Sequence, residues 1–578
     1  MFKLLNTDIK AYSFIIIIGT LLFIPYIGNM PLFDWDEINF AECAREMIVS
    51  NNYSDVQLYF QPFWEKPPLF IWFQAMCMNL FGINEFSARL PNAICGIATL
   101  LVLYRVGKLS NDTKFGLTWV FVYSATLLPH LFFKSGIIDP WFNLFIFLSV
   151  FQLIKHTNNP VGKEGYRTAI LAGFFLGLSL LTKGPVALLL VSLTVSVFFI
   201  YNRFKKISKP KFLIVFAISF LITGLSWFII ELIKGNGHVI SEFINYQIRL
   251  FKTEDSDHGG PFIYHFVVLL LGCFPSSIFL ILAFKKSTLD TPFQKHFKQW
   301  MLILFWVVLI LFSIVQTKIV HYSSLCYFPL TYLATYAITK LNTREIQWNR
   351  LANILSISVA SILGIVFTIV GLFPFIKNKI INSNLIEDDF ALENLKAHVN
   401  WLGFEWLIGI SFLCVCLFSI YKIQKKHLNY IYVLFFYSLF TVYSIIMLIA
   451  PKIEQYTQHT TIEFYKICAK KNYYVESLGY KSYASLFYGQ FQAINKSNPK
   501  LISYIKSKES EYKKTGLDIN VSFAYVYTNW LLEGDIDKPA CFVAKIDMYE
   551  HTKNFRPELK LIFKENGFCY FLRMPSKN

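Results

Sequence analysis

The chain has 578 residues, of which 55% are hydrophobic, 18% aromatic and only 16% charged. Together with a mean hydropathy of +0.45, this composition excludes an ordinary soluble enzyme and predicts a surface largely covered by lipid. The formal net charge of +17 does not indicate a nucleic-acid partner, because the basic residues lie in short segments between apolar runs rather than on one face.

Runs of about 20 mainly apolar residues predict a polytopic α-helical membrane protein with about thirteen transmembrane helices. The first run has no cleavage site after Ile24 and is interpreted as a retained span rather than a signal peptide. If the N-terminus is cytoplasmic, the inner loops, such as NRFKKISKPK and YKIQKKH, are rich in Lys and Arg, as the positive-inside rule requires. The predicted spans lie near residues 11–30, 86–104, 115–132, 138–154, 168–182, 185–201, 212–233, 262–284, 300–316, 319–338, 351–375, 403–421 and 429–450.

Two domains follow from the fall in hydropathy near Pro451. Residues 1–450 form the predicted membrane domain, whose first outer loop, 31–85, contains an amphipathic interfacial helix at INFAECAREMI. Residues 451–578 form a small α/β domain with short strands at NYYVES, CFVAKI, LKLIFKE and GFCYFLR. An odd number of spans places this domain outside the cytoplasm. Three cysteines of this domain allow one disulfide, whose pairing the sequence does not fix: Cys468, Cys541 and Cys569.

The first candidate site residues are Asp36 and Glu37, in the segment DWDE directly after the first span. A carboxylate here can stay hydrated while facing a membrane cavity, although Asp before a helix is also a common N-terminal cap. Some thirty residues later, Lys66 stands in FWEKPP, where the prolines hold the backbone extended. Its ammonium group suits a lipid phosphate, and snorkelling towards the interface is the alternative.

Asp139, in KSGIIDPWFNLF, lies at the outer end of an otherwise apolar span. A carboxylate costs free energy in such a run, so we expect it to face a cavity or a partner. Lys183 in LLTKGPVALLL is interpreted as part of a tight turn, with a snorkelling side chain.

Two further outer segments carry cations near predicted turns. The loop RLFKTEDSDHGGP contains Arg249 and His258, and its glycines allow the backbone to approach a ligand. Asp257 with His258 is a weak metal signal, so no metal ligand is assigned, and a divalent cation remains only an alternative.

The segment QTKIVHYSS provides Lys318, His321 and Tyr322 as donors to an anionic headgroup. Anchoring of the turn at the interface is the alternative reading of these three residues.

Several of these motifs, in this order, resemble the GT-C membrane glycosyltransferases, specifically the bacterial aminoarabinose-transferase and protein-mannosyltransferase-like family. The resemblance rests on DE-x6-AREM, EKPP, the later Asp139, TKGP, RLFK…DHGGP and KIVHY. It implies that Asp36 is the catalytic carboxylate with Glu37 beside it, and that Asp139 is a second acid of the cavity. It also implies that Lys66 and Tyr322 bind the lipid phosphate.

One departure from the family pattern lies two residues after the DE pair. Aminoarabinose transferases look to carry an arginine there, whereas this chain has Asn39, which weakens an assignment to aminoarabinose itself. The missing cation could be supplied by His321, Arg249 or Lys318.

The resulting hypothesis is transfer of a sugar, with inversion, from a polyprenyl-phosphate donor to an extracytoplasmic acceptor such as lipid A, a glycan or a protein. The enzyme would be integral to the inner membrane, with its site and C-terminal domain on the periplasmic side. The rival hypothesis is a transporter or flippase of a lipid-linked saccharide, which should place polar residues near the bilayer midplane and on both faces.

Overall fold

The structure is a computed structural model that describes residues 7–158, 162–204, 209–252, 259–285, 287–383, 386–493, 496–514, 523–549, 552 and 558–576. The chain up to Gln455 is almost entirely helical. Its helices are α1 (Asp8–Phe23), α2 (Asp36–Ser50), α3 (Leu69–Phe81), α4 (Glu85–Ser110), α5 (Thr113–Ser124), α6 (Leu127–Phe132), α7 (Asp139–Asn158), α8 (Gly162–Lys183), α9 (Val186–Tyr201), α10 (Pro210–Gly224), α11 (Ser226–Ile233), α12 (Gly237–Lys252), α13 (Tyr264–Gly272), α14 (Ser276–Ala283), α15 (Pro292–Ile314), α16 (Tyr327–Asn342), α17 (Arg350–Ile381), α18 (Asp389–Lys396), α19 (Trp406–Gln424), α20 (Tyr430–Ser444) and α21 (Ala450–Gln455).

Each of the thirteen predicted spans overlaps one of these helices or a consecutive pair of them, although several bounds differ. In the described ranges, six helices are long and apolar enough to cross a membrane, or up to eight if each of two bent pairs is one span. The bend is 51° between α10 and α11 and 109° between α13 and α14. Other predicted spans are shorter helices: α5 has 12 residues, about 18 Å at 1.5 Å per residue, and thus less than a bilayer core.

Close packing of α8 against α10 depends on two glycines one helical turn apart. A Cβ atom on Gly173 would lie 2.3 Å from the Phe216 carbonyl oxygen, and one on Gly177 would lie 2.6 Å from Cβ of Thr223. Small residues four apart let two membrane helices approach backbone to backbone. This contact fixes the position of α8, whose last residue is Lys183.

The first outer loop is covered by the C-terminal region rather than exposed on the surface. Helix α2 buries eleven of its fifteen residues, including the charged Glu42, Arg45 and Glu46. The Arg45 guanidinium binds the Glu42 carboxylate at 2.6 Å and donates to the Phe491 carbonyl oxygen at 2.7 Å. The predicted helix is therefore present, but protein covers its polar face.

The C-terminal region is a mixed sheet with helices, as the sequence indicated. The strands are β3 (Tyr474–Leu478), β4 (Ala540–Lys545), β5 (Lys560–Glu565) and β6 (Phe568–Arg573), in the order β3-β4-β6-β5, and a hairpin of β1 (Gln57–Leu58) and β2 (Gln61–Pro62) precedes them in the first outer loop. Among the described strands, only β3 and β4 pair in parallel. The helices of this region are α22 (His459–Lys470), α23 (Ala484–Tyr488), α24 (Pro499–Lys514) and α25 (Phe523–Glu533). The sulfur atoms of Cys468 and Cys541 lie 2.6 Å apart, and Cys569 is paired in register with Ala544.

Candidate active site

Helix ends and turns at one end of the membrane domain place acidic and basic side chains around two adjoining cavities. Asp36 is the first residue of α2, Asp139 the first of α7 and Lys183 the last of α8. The outer cavity has a volume of about 490 Å³, and the inner, more apolar one has about 70 Å³. Both are lined by Lys66, Lys183 and Tyr322.

A single imidazole links the two aspartates. His321 Nε2 lies 3.4 Å from Oδ2 of Asp36 and 3.7 Å from Oδ2 of Asp139. The Asp36 side chain is 41% exposed and faces the outer cavity, whereas that of Asp139 is only 4% exposed. Asp36 is therefore the carboxylate that a ligand can reach.

The charges around Asp36 keep its carboxyl group ionised. Burial by itself raises the pKa of this group, but the hydrogen bond to His321 and the charges of His321, Lys66 and Lys183 outweigh burial and lower the pKa to about 2. Asp36 is consequently an anion throughout the physiological pH range.

Asp139 is held by Lys183, a residue that the sequence interpretation assigned to a turn. Lys183 Nζ donates to Oδ1 of Asp139 at 2.5 Å and stands 4.9 Å from the centre of the Tyr322 ring. The carboxylate stabilises the N-terminus of α7 and the ammonium the C-terminus of α8, because each opposes the local helix dipole. The TKGP motif was the only signal in the sequence that could have found this lysine.

Glu37 lies in the wall of the outer cavity with its carboxylate fully occupied. The Arg89 guanidinium donates to both carboxylate oxygens at 2.8 and 2.7 Å, and the backbone nitrogens of Gly136 and Phe33 donate at 2.5 and 2.8 Å. Arg89 also donates to the carbonyl oxygens of Ile27, Met30 and Pro31. This arrangement makes Glu37 an anchor for the start of α2, and nothing in the sequence marked Arg89 as its partner.

Of the remaining predicted ligands, Lys66, Arg249, His321 and Tyr322 line the outer cavity. Lys66 Nζ and Arg249 Cζ lie 5.1 and 5.2 Å from the centre of the same ring, that of Tyr246. These cation–π contacts hold both cations at the cavity.

The structure does not bring Lys318 into this cluster, in contrast to the prediction. Its Nζ atom is buried and donates to the carbonyl oxygens of Phe312, Ser313 and Val315, at 3.2 and 2.8 Å for the first two. Lys318 therefore caps the C-terminal end of α15. His258 and Asp257 lie outside the described residues. Within those residues, no group of three or more His, Cys, Asp or Glu side chains could hold a metal ion.

The C-terminal region supplies one wall of the outer cavity, through Lys481 and Tyr483. Lys481 Nζ lies 4.8 Å from the centre of the Trp35 ring, and the Asp34 carboxylate accepts hydrogen bonds from the Ser482 hydroxyl and the Tyr483 backbone nitrogen. The backbone directly before Asp36 is thus fastened to a segment more than 440 residues away.

The sequence and the fold were compared with those of known proteins. Residues 65–227 match the family model described as dolichyl-phosphate-mannose-protein mannosyltransferase. The crystal structure of ArnT from Cupriavidus metallidurans, bound to undecaprenyl phosphate, superposes with a TM-score of 0.74 at 14% identity, covering 98% of each chain. The chain has the GT-C fold. It is accordingly an integral membrane protein.

Curated relatives agree with this result. The undecaprenyl phosphate-alpha-4-amino-4-deoxy-L-arabinose arabinosyl transferase of Wigglesworthia glossinidia brevipalpis is 26% identical over 353 residues, which is 59% of this chain and 61% of that protein. Transferase 1 of the same description from Proteus mirabilis is 26% identical over 58% of this chain and 60% of that protein. The chain therefore spans about three fifths of the length of these relatives. The resemblance to the aminoarabinose-transferase and protein-mannosyltransferase-like family is confirmed.

Proposed function

We propose that this protein is a glycosyltransferase that moves a sugar from a polyprenyl-phosphate donor to an extracytoplasmic acceptor. The observation that carries the proposal is the joint position of an exposed, ionised Asp36 and the cations Lys66, Lys183 and Arg249 around one cavity at one end of the membrane domain. A carboxylate beside a set of cations is what a reaction needs when an acceptor loses a proton and a phosphate departs.

The proposed chemistry follows from the positions of the Asp36 carboxylate and of the cations around the cavity. The acceptor oxygen attacks the anomeric carbon of the donor sugar, its proton passes to Asp36, and the bond between that carbon and the phosphate oxygen breaks. The electron pair of that bond leaves with the polyprenyl phosphate, whose charge Lys66 and Lys183 neutralise while the Tyr322 hydroxyl donates to it. A single displacement inverts the anomeric carbon.

The low pKa of Asp36 sets the timing of the proton transfer. A carboxylate with a pKa of about 2 is a weak base towards a free hydroxyl group. The acceptor proton becomes acidic only as its oxygen bonds to the sugar, so transfer accompanies bond formation rather than preceding it. His321, between Asp36 and Asp139, keeps the carboxylate oriented for this step.

The donor is proposed from the relatives, whose names describe a sugar linked to undecaprenyl phosphate, and the acceptor is open among lipid A, a glycan and a protein. The Lys- and Arg-rich loops support an orientation with the N-terminus in the cytoplasm and the cavity and C-terminal region in the periplasm. The residues 1–450 and 451–578 remain the proposed membrane and soluble domains. Glu37 is proposed as a positioning residue, since all its hydrogen bonds go to Arg89 and the backbone.

The decisive experiment measures polyprenyl phosphate released by purified protein in lipid, with a panel of polyprenyl-phosphate sugars and acceptors. Asp36→Asn should lower the rate by about 10² to 10⁴-fold, the range for loss of a general base. Asp55→Asn is the matched control, because Asp55 lies in the same outer loop and pairs with Lys234 at 2.7 Å.

Two results would contradict the proposal. One is equal release by wild type and Asp36→Asn. The other is absence of release from every donor while labelled lipid-linked sugar crosses the bilayer of the same vesicles, which would establish the rival flippase function.

A further inference from the structure

A separate and larger cavity, of about 890 Å³, lies between α9 and α15. Three residues of α9 at intervals of one helical turn, Leu193, Val197 and Tyr201, form one wall. The opposite wall is a face of α15 with the side chains of Leu302, Ile303, Trp306, Val307, Ile310, Leu311 and Ile314. Many of these side chains are exposed on the outer surface of the helices, so the cavity is a groove that opens sideways towards lipid.

The groove runs along almost the whole of α15. From Lys295 to Ile314 the rise of 1.5 Å per residue gives about 28 Å, close to the thickness of a hydrocarbon core. Phe312 and Val315, at the far end of this helix, line the inner cavity of the candidate active site. The Lys295 end of the groove therefore lies at the opposite side of the membrane from that site.

Among the described residues, polar side chains line the groove only at the Lys295 end. Lys298 Nζ donates to the Lys285 carbonyl oxygen at 2.9 Å and lies 4.1 Å from the centre of the Tyr336 ring, which leaves further ammonium protons for a ligand. Gln299 Nε2 is buried and has no hydrogen-bond partner among the described residues. A buried amide donor of this kind costs free energy unless a ligand pairs with it.

The charges at this end do not balance. Asp290, which also lines the groove, accepts a hydrogen bond from Tyr336 and pairs with Lys340 at 2.8 Å; Lys340 in turn pairs with Glu345 at 2.7 Å. Among the charged side chains that line the groove itself, Lys295 and Lys298 face the single carboxylate of Asp290, and one positive charge remains. A ligand with a single negative charge would neutralise the cluster.

We propose that this groove binds an anionic glycerophospholipid of the leaflet opposite the candidate active site. The phosphodiester carries one negative charge, which matches the excess of the lysines, and its oxygens accept from Lys295, Lys298 and Gln299. One acyl chain extends along the apolar face of α15. Basic pockets between membrane helices bind acidic headgroups in this manner. A polyprenyl monophosphate, with a charge nearer −2 at neutral pH, matches the cluster less well.

Native mass spectrometry of the full chain in a neutral detergent tests this site. The protein is titrated with phosphatidylglycerol, phosphatidylcholine and undecaprenyl phosphate in separate arms. We expect retention of one phosphatidylglycerol and little retention of the other two lipids. Lys295→Gln with Lys298→Gln should weaken phosphatidylglycerol binding by about tenfold or more, as expected for two lysines beside a lipid phosphate.

Two further variants separate binding from folding. Gln299→Leu keeps every charge and should weaken binding without lowering the unfolding temperature of the lipid-free protein, because it removes a buried amide donor that has no partner in the described part of the chain. Lys422→Gln, which removes a lysine 5.3 Å from the Phe418 ring centre on α19, should leave binding unchanged. Equal retention of phosphatidylglycerol and phosphatidylcholine, unchanged binding in the double variant, or preferential retention of undecaprenyl phosphate would each overturn the proposal. None of these readouts depends on sugar transfer, so the two proposals can fail separately.

Discussion

At the scale of single residues, the His321 imidazole and the Lys183 ammonium group hold two carboxylates in different environments. Asp36 is open to the cavity and shared with His321, whereas Asp139 is buried and paired with Lys183. The first carboxylate is free to meet a substrate, and the second fixes the cation that faces it. Asp139 is thus better placed to position Lys183 than to exchange protons itself.

A pair of variants separates these roles. Lys183→Met should lower the rate of polyprenyl phosphate release by about 10²-fold or more, because a donor to the departing phosphate is lost. It should also destabilise the fold by about 3–5 kcal/mol, since the buried Asp139 loses its ammonium partner. Adding Asp139→Asn should restore the unfolding temperature but not the rate. Recovery of the rate in the double variant would show that Lys183 acts only on Asp139.

The sequence predicted most of the residues around the cavity but not their pairing. Asp36, Lys66, Asp139 and His321 could be found because charged residues at the ends of apolar spans are costly. Lys183 was missed because a lysine at a helix end is equally well explained by snorkelling. Lys318 was assigned to the site because its buried contacts with the carbonyl groups of α15 leave no trace in the sequence.

At the scale of elements, the start of α2 is the part of the molecule on which the site depends most. Arg89, on α4, joins Glu37 to three carbonyl groups of the preceding turn and so fixes the direction in which α2 begins. Asp36 is the neighbouring residue, and its position follows from that of Glu37.

Loss of the ion pair between Arg89 and Glu37 should unfold the start of α2. We expect Arg89→Met to lower the stability by about 3–5 kcal/mol, because Glu37 would remain buried without its partner, and to lower the transfer rate with it. Arg105→Met on the same helix is the control, since Arg105 is exposed. Thermal unfolding in detergent measures both. An unfolding temperature for Arg89→Met equal to that of the control would contradict this assignment.

The burial of α2 could not have been foreseen from its own sequence. Its apolar spacing predicted the helix correctly, and the Glu42 and Arg45 pair at i and i+3 is typical of an exposed face. The partner that covers this face, around Phe491, lies some 450 residues further along the chain. Such contacts depend on tertiary packing, which periodicity does not encode.

At the scale of the whole molecule, the outer loop and the C-terminal region form one apolar core, and a buried carboxyl group lies between them. The Tyr59 hydroxyl lies 3.3 Å from both carboxylate oxygens of Glu476, on β3. Burial raises the pKa of Glu476 to about 7, against the opposing effect of hydrogen bonds from Ser477 and Tyr59. The folded protein therefore favours the protonated form of this group.

Stability should consequently fall as the pH rises. Because the pKa of Glu476 is higher in the folded than in the unfolded chain, its contribution is complete below about pH 4.5 and is lost as the pH rises through about 7. We expect Glu476→Gln to be more stable than wild type at pH 8.5, by up to about 3 kcal/mol, and equal to it near pH 4.5. Unfolding temperatures between these values measure the difference, with the exposed Glu463→Gln as control. A difference that does not change with pH would contradict the prediction.

The lengths of helices α7 and α8 together set the depth at which the Asp139 and Lys183 pair lies in the membrane. Their 20 and 22 residues correspond to about 30 and 33 Å, one hydrocarbon thickness, and both helices end at the Asp139 and Lys183 pair. Loss of one helical turn from only one of these two helices would move its charged end about 5.4 Å towards the hydrocarbon and separate the two charges. Asp139 and Lys183 therefore remain together at the membrane surface only while α7 and α8 have matched lengths. The chemistry of the site thus depends on the thickness of the surrounding bilayer.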